Sequence, residues 1–151
     1  MRTINELCDL VRQTAYDIHV YHGNGHLEKV YENALAHRLR KVGLDVKQQY
    51  PLKVHDQDGT VIGDYYADLV VEDRLVVELK AAQKIADEHV AQILGYLKAS
   101  RTEHGLLINF GSYRFQIRKY VMSQGTGREE GLSPIAGLAM LFSAFFAFFR
   151  G

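Results

Sequence analysis

The chain is nearly devoid of cysteine and has no surplus of either charge: Cys8 stands alone, and 18 Lys+Arg balance 18 Asp+Glu in 151 residues. One thiol excludes an internal disulfide and a four-thiolate zinc site, and it fits a reducing compartment, so a cytoplasmic location is expected. The even charge balance excludes a global positive field, so a polyanionic partner must be held by a local patch or through bound cations. The N-terminus, MRTINELCDLVR, is charged at short intervals and lacks the apolar centre of a signal peptide. No internal repeat is present. What remains is enough chain for one domain with a proper core, of ordinary globular composition.

Apolar residues recur at helical spacing from Ile4 to Tyr21, until HGNG at 22–25 breaks the pattern with two glycines. A second helix fits 26–42, with Leu27, Val30, Tyr31, Ala34, Leu35, Leu39 and Val42 on one side and Gly43 as its C-cap. The period then shortens towards two. Strands are expected near 46–55, 61–71 and 75–80, with a turn at DQDG (56–59), then a helix over 85–100 and strands at 105–110 and 113–121. The order ααβββαββ implies an α/β domain, a mixed sheet flanked by helices.

The composition changes after residue 122. SQGTGREEG (123–131) reads as a glycine-rich linker, and 132–149 is an uncharged run of eighteen residues with Pro134 near its start. As a helix the run would be about 27 Å long, close to the ~30 Å hydrocarbon layer of a bilayer. It is apolar all round, where a surface helix keeps a polar stripe. An apolar C-terminal helix over 132–151 is therefore expected, as a membrane anchor, a helix packed on the domain, or an interface helix.

The third strand, LVVELKA (75–81), carries Glu78 and Lys80 in an otherwise buried pattern. Two apart, they leave the same face. If residue 71 pairs with 75 across a three-residue turn (72–74), Asp68 falls opposite Glu78. Adjacent carboxylates repel, and a hard divalent ion such as Mg²⁺ (or Mn²⁺) makes such a pair favourable with few further protein ligands. An ordinary buried ion pair, Glu78–Lys80 or Asp68–Lys80, accounts for the same residues and remains open at this point. Glu28 lies in the first turn of the second helix, where the macrodipole favours an acid. His89, Gln92 and Tyr96 share one face of the third helix.

Jointly, G-x-x-E-x-x-Y at 25–31, D…E-x-K at 68–80 and Q-x-x-x-Y at 92–96, followed by GLLINFG at 105–111, resemble the GxxExxY family of the PD-(D/E)XK nuclease superfamily over about 4–121. The resemblance implies a restriction-endonuclease-like core and a hydrolase that cleaves phosphodiesters with Mg²⁺, in DNA more than RNA. It implies that Asp68, Glu78 and the Leu79 carbonyl bind the metal, that Glu28 reaches it directly or through water, and that Lys80 positions or deprotonates the attacking water. Gln92 and Tyr96 would contact substrate or brace the lysine. His19 and His89 match histidines common in the family. Tyr66 stands where many relatives carry arginine, and residues beyond 122 match no part of the pattern.

For nucleic acid, Arg114, Gln116 and Arg118 alternate with Tyr113, Phe115 and Ile117, while Arg38, Arg40 and Lys41 cluster at one helix end and Lys98 and Arg101 at another. Such cations also serve as solvated faces or as compensation for helix dipoles. His22, His26, His37, His55 and His104 lack the spacing of a zinc site. The alternative to an enzyme is a catalytically inactive nucleic-acid- or protein-binding module on the same fold, tethered or not through the tail.

Overall fold

The computed structural model describes residues 1–123 and 147–150. Helix α1 (Ile4–His22) starts on a reciprocal cap: Thr3 Oγ1 accepts from the Glu6 N–H while Glu6 accepts from the Thr3 N–H. It ends at Gly23, whose φ of +67° suits glycine. Helix α2 (Glu28–Lys41) follows, then strands β1 (Val46–His55), β2 (Val61–Val71) and β3 (Leu75–Lys80), helix α3 (Asp87–Ser100), and strands β4 (His104–Asn109) and β5 (Gln116–Val121).

The strands lie in chain order, antiparallel except for β3 and β4, which run parallel across the α3 crossover. A short strand β6 (Ala147–Arg150) pairs antiparallel with β5. Its residues are thus extended where the sequence pattern anticipated the end of an apolar helix. The rest of that tail, with most of the 123–131 linker, lies outside the described residues. No helix among the described residues is long and apolar enough to cross a membrane.

The sheet separates two cores. On one face α1 and α2 pack Val11, Ile18, Tyr31, Leu35 and Leu39 against Leu69, Val77, Leu79 and Ile108. On the other, α3 packs Ile93, Tyr96 and Leu97 against Leu52, Val70, Val76 and Leu107. The buried side of α2 is Tyr31, Glu32, Leu35, Ala36 and Leu39. Leu27, Val30 and Val42, expected on that side, are exposed, because α2 begins at Glu28 and offers the sheet a narrower seam than its apolar residues suggest.

The alternation of β1 inverts midway. Val46 belongs to the α1/α2 core and Leu52 to the α3 core, although residues six apart share a face in a regular strand. The inversion falls at Gln49, whose φ of +49° is left-handed. Opposite it, Ala67 and Leu69 of β2 likewise serve different cores, and the ladder steps from Gln48↔Leu69 to Tyr50↔Ala67. Asp68 sits at this crossing. Irregularities that re-aim a side chain are common beside active sites.

Candidate metal centre

The turn from β2 to β3 takes the three-residue form: Glu72 and Asp73 both have φ of +53°, the Arg74 N–H bonds the Val71 carbonyl at 3.0 Å, and Val71 pairs with Leu75. Counting on from Leu69↔Val77 places Asp68 beside Glu78. The two acids are interlocked. The Asp68 N–H donates to Glu78 Oε1 at 3.0 Å, and Asp68 Oδ2 accepts from the Leu79 N–H at 2.9 Å.

Glu78 is 1% exposed. Burial, reinforced by the Asp68 carboxylate, pushes its carboxyl up to about 9, against the opposing pull of the Asp68 N–H and Lys80. Glu78 therefore carries a proton at neutral pH. A hard divalent ion would compete for the same oxygens and supply the positive charge that the proton supplies, so the donor set fits Mg²⁺ or Mn²⁺. Among the described residues, no three His, Cys, Asp or Glu side chains draw together closely enough to cage an ion by themselves. Glu28 therefore does not complete a three-acid cage with Asp68 and Glu78, and the two interlocked carboxylates are what the geometry offers an ion.

Glu28, the first residue of α2, lies close enough to Lys80 and Asp68 to feel both charges. Desolvation raises its carboxyl, opposed by the Lys80 ammonium and by a hydrogen bond from the Ala81 N–H, and further raised by Asp68. Lys80 makes no ion pair within 4.0 Å among the described residues. The simple salt link that could have explained a charged strand is not what the fold builds. The ammonium instead lies where both Glu28 and Glu78 feel its field.

The third helix supplies the far wall. Gln92 Nε2 donates to the Tyr96 hydroxyl at 2.7 Å, and the Tyr96 ring lies 5.2 Å from that of Tyr65. Burial raises the Tyr96 phenol, with Glu78 and Asp68 adding to the effect. The two expected histidines stand in supporting positions. His89 Nδ1 accepts from the Ala86 N–H and caps α3, and His19 Nε2 lies 2.9 Å from the Ser112 carbonyl, tying α1 to the β4–β5 loop.

The motif residues divide their labour. Gly25 takes φ of +126°. Tyr31 donates to the Gly23 carbonyl at 2.6 Å, accepts from the His26 N–H and stacks on Phe110 at 4.6 Å, fixing the loop that delivers Glu28. Gly111 is obligatory for space: a Cβ there would come within 2.3 Å of the Ala81 and Ala82 backbone, immediately after Lys80. Asn109, fully buried, accepts from the Ala82 and Gly111 N–H groups and donates to the Ala82 carbonyl and Gln116.

Sequence reasoning missed Glu32 and Gln49. Glu32 immediately follows Tyr31, the last residue of the G-x-x-E-x-x-Y string, so proximity could have flagged it; nothing in a lone strand glutamine announces a left-handed backbone. The expected phosphate contacts at the end of α2 are partly committed elsewhere. Arg40 bonds Gln48 Oε1 and the Val46 carbonyl, and Arg38 lies over the Tyr21 ring at 6.0 Å. Phe115 and Ile117 are core residues, whereas Tyr113 precedes β5 and is exposed.

A family model described as the PD-(D/E)XK nuclease superfamily matches residues 5–120. No curated protein and no solved structure matches the chain.

Proposed function

Since the chain belongs to the PD-(D/E)XK nuclease superfamily, we propose that it is a metal-dependent nuclease of the GxxExxY type, hydrolysing phosphodiester bonds in DNA with Mg²⁺ or Mn²⁺. The observation that carries this reading is the interlocked Asp68–Glu78 pair, Glu78 buried and Asp68 half-buried, with Lys80 on the same strand face as Glu78 and outside any ion pair among the described residues. A divalent ion bound there makes water acidic and offsets the negative charge that grows on the phosphate.

The chain's own groups divide the rest. Asp68 and Glu78 would hold the ion, with the Leu79 carbonyl as a further donor, and Glu28 would order water beside it. The Lys80 ammonium would orient the attacking water and shield charge on a non-bridging phosphate oxygen. Tyr96, oriented by Gln92, braces the substrate side of the centre. The intact set Glu28, Asp68, Glu78 and Lys80 favours an enzyme over a binding module.

The test is cleavage of plasmid, single-stranded and duplex oligonucleotides of DNA and RNA with Mg²⁺ or Mn²⁺, comparing wild type with Glu78→Ala and Lys80→Ala. Cleavage by wild type alone, abolished by chelator, supports the assignment. Equal background cleavage by all three proteins removes it.

A further inference from the structure

We infer that Gln49 is a positioning residue for the candidate metal centre, locking the Asp68 carboxylate and tying it to the helix that carries Glu28. Its Nε2 donates to Asp68 Oδ1 at 3.1 Å and to Glu32 Oε1 at 2.5 Å. Of the amide's two ends only the NH₂ can face two carboxylates, so the orientation of the amide is fixed by its partners. Asp68 is then gripped from both sides, by Gln49 of β1 on Oδ1 and by the Leu79 N–H of β3 on Oδ2.

Glu32 is 2% exposed. Its other oxygen accepts from Lys29 Nζ at 2.5 Å and Gln48 Nε2 at 2.7 Å. Two donors other than Gln49 hold the carboxylate, so its place is settled independently of Asp68, and it anchors the Gln49 amide. Glu32 lies one helical turn after Glu28, so the chain Glu32–Gln49–Asp68 sets the start of α2 against β2. The left-handed backbone of Gln49, φ +49°, is costly for a residue with a side chain, and such conformations persist where surrounding interactions over-determine them. Here the interactions are the two carboxylate bonds. Groups that orient metal ligands typically change metal affinity 10–100-fold when removed.

The inference depends on the nuclease reading only for its metal arm, and the experiment separates the two. In the full-length protein, Gln49→Gly removes the amide while accepting the backbone, and Gln49→Asn tolerates the same backbone but is too short to span both acids. Amide hydrogen exchange in metal-free protein is read at Leu79, whose acceptor is Asp68, with Leu69 and Val77 as internal references; Mn²⁺ affinity is read by electron paramagnetic resonance. The expected result is Leu79 exchange at least about tenfold faster in both variants, unchanged references, and Mn²⁺ affinity weakened about tenfold. Wild-type protection of Leu79 in Gln49→Gly overturns the role; should that variant not fold, Gln49→Asn decides in the same way. A wild-type protein that takes up no Mn²⁺ overturns the metal reading, while the Leu79 exchange still decides the role of Gln49.

Discussion

Replacing Glu78 with glutamine should make the metal-free protein more stable and abolish the proposed nuclease activity, and the stability gain should depend on pH. Glutamine imitates the protonated acid: its Oε1 can accept from the Asp68 N–H, and its NH₂ can donate towards the Asp68 carboxylate as the acid proton does. In wild type the folded carboxyl titrates at about 9 against an ordinary 4.5. Between those values the folded state binds a proton that the unfolded state has lost, so stability falls as pH rises through that window. At pH 7, about 2.5 units above the ordinary value and at about 1.4 kcal/mol per unit, the penalty is about 3 kcal/mol. Below pH 4.5 both states are protonated and the penalty vanishes; above about 9 it levels off. Glutamine pays none of it. Glu78→Gln should therefore match wild type near pH 4.5 and exceed it by about 3 kcal/mol at pH 7, a rise of about 10 °C in Tm for a domain of this size. Urea and thermal unfolding from pH 4.5 to 8, with and without Mg²⁺, measure it. On the proposed function, added Mg²⁺ should raise the Tm of wild type and leave the variant nearly unmoved, since the variant lacks one of the two carboxylates proposed to hold the ion. Wild-type and variant stabilities that run parallel from pH 4.5 to 8 would refute a proton held on the buried Glu78.

Lys80→Ala should lower single-turnover cleavage by about 10²–10³ while leaving Mn²⁺ affinity equal or tighter, because the ammonium acts on the reacting phosphate and repels the ion; a parallel loss of metal affinity would make the lysine structural. Gly111→Ala should cost about 3 kcal/mol or more in urea unfolding, since its Cβ would lie 2.3 Å from the Ala81 and Ala82 backbone. In whatever fraction still folds, cleavage should fall about 100-fold from displacement of Lys80. Asn109→Ala strands two half-buried N–H groups and one carbonyl, and at about 1 kcal/mol per half-buried unsatisfied group it should destabilise by about 3 kcal/mol. Chemical denaturation checks it, and a change below about 1 kcal/mol would mean that water replaces the amide.

Much of this protein could be read from residue order, because the informative interactions are local. Helical and strand periods are carried by neighbours three, four or two apart, so α1, α2, the strands of the hairpin and α3 lie close to where their patterns place them. The facing of Asp68 and Glu78 was also within reach, because a short hairpin leaves few registers and one of them brings the acids together. Other features depend on segments distant in the chain. That Lys80 stands apart from both carboxylates, that Glu78 holds a proton, and that Gly111 is pressed against the backbone after Lys80 follow from how β3, β4 and α2 converge. The left-handed turn at Gln49 is the clearest case. No pattern in β1 predicts it, since a strand glutamine prefers the extended form, and it is held by carboxylates on α2 and β2 that only the folded chain brings to its side.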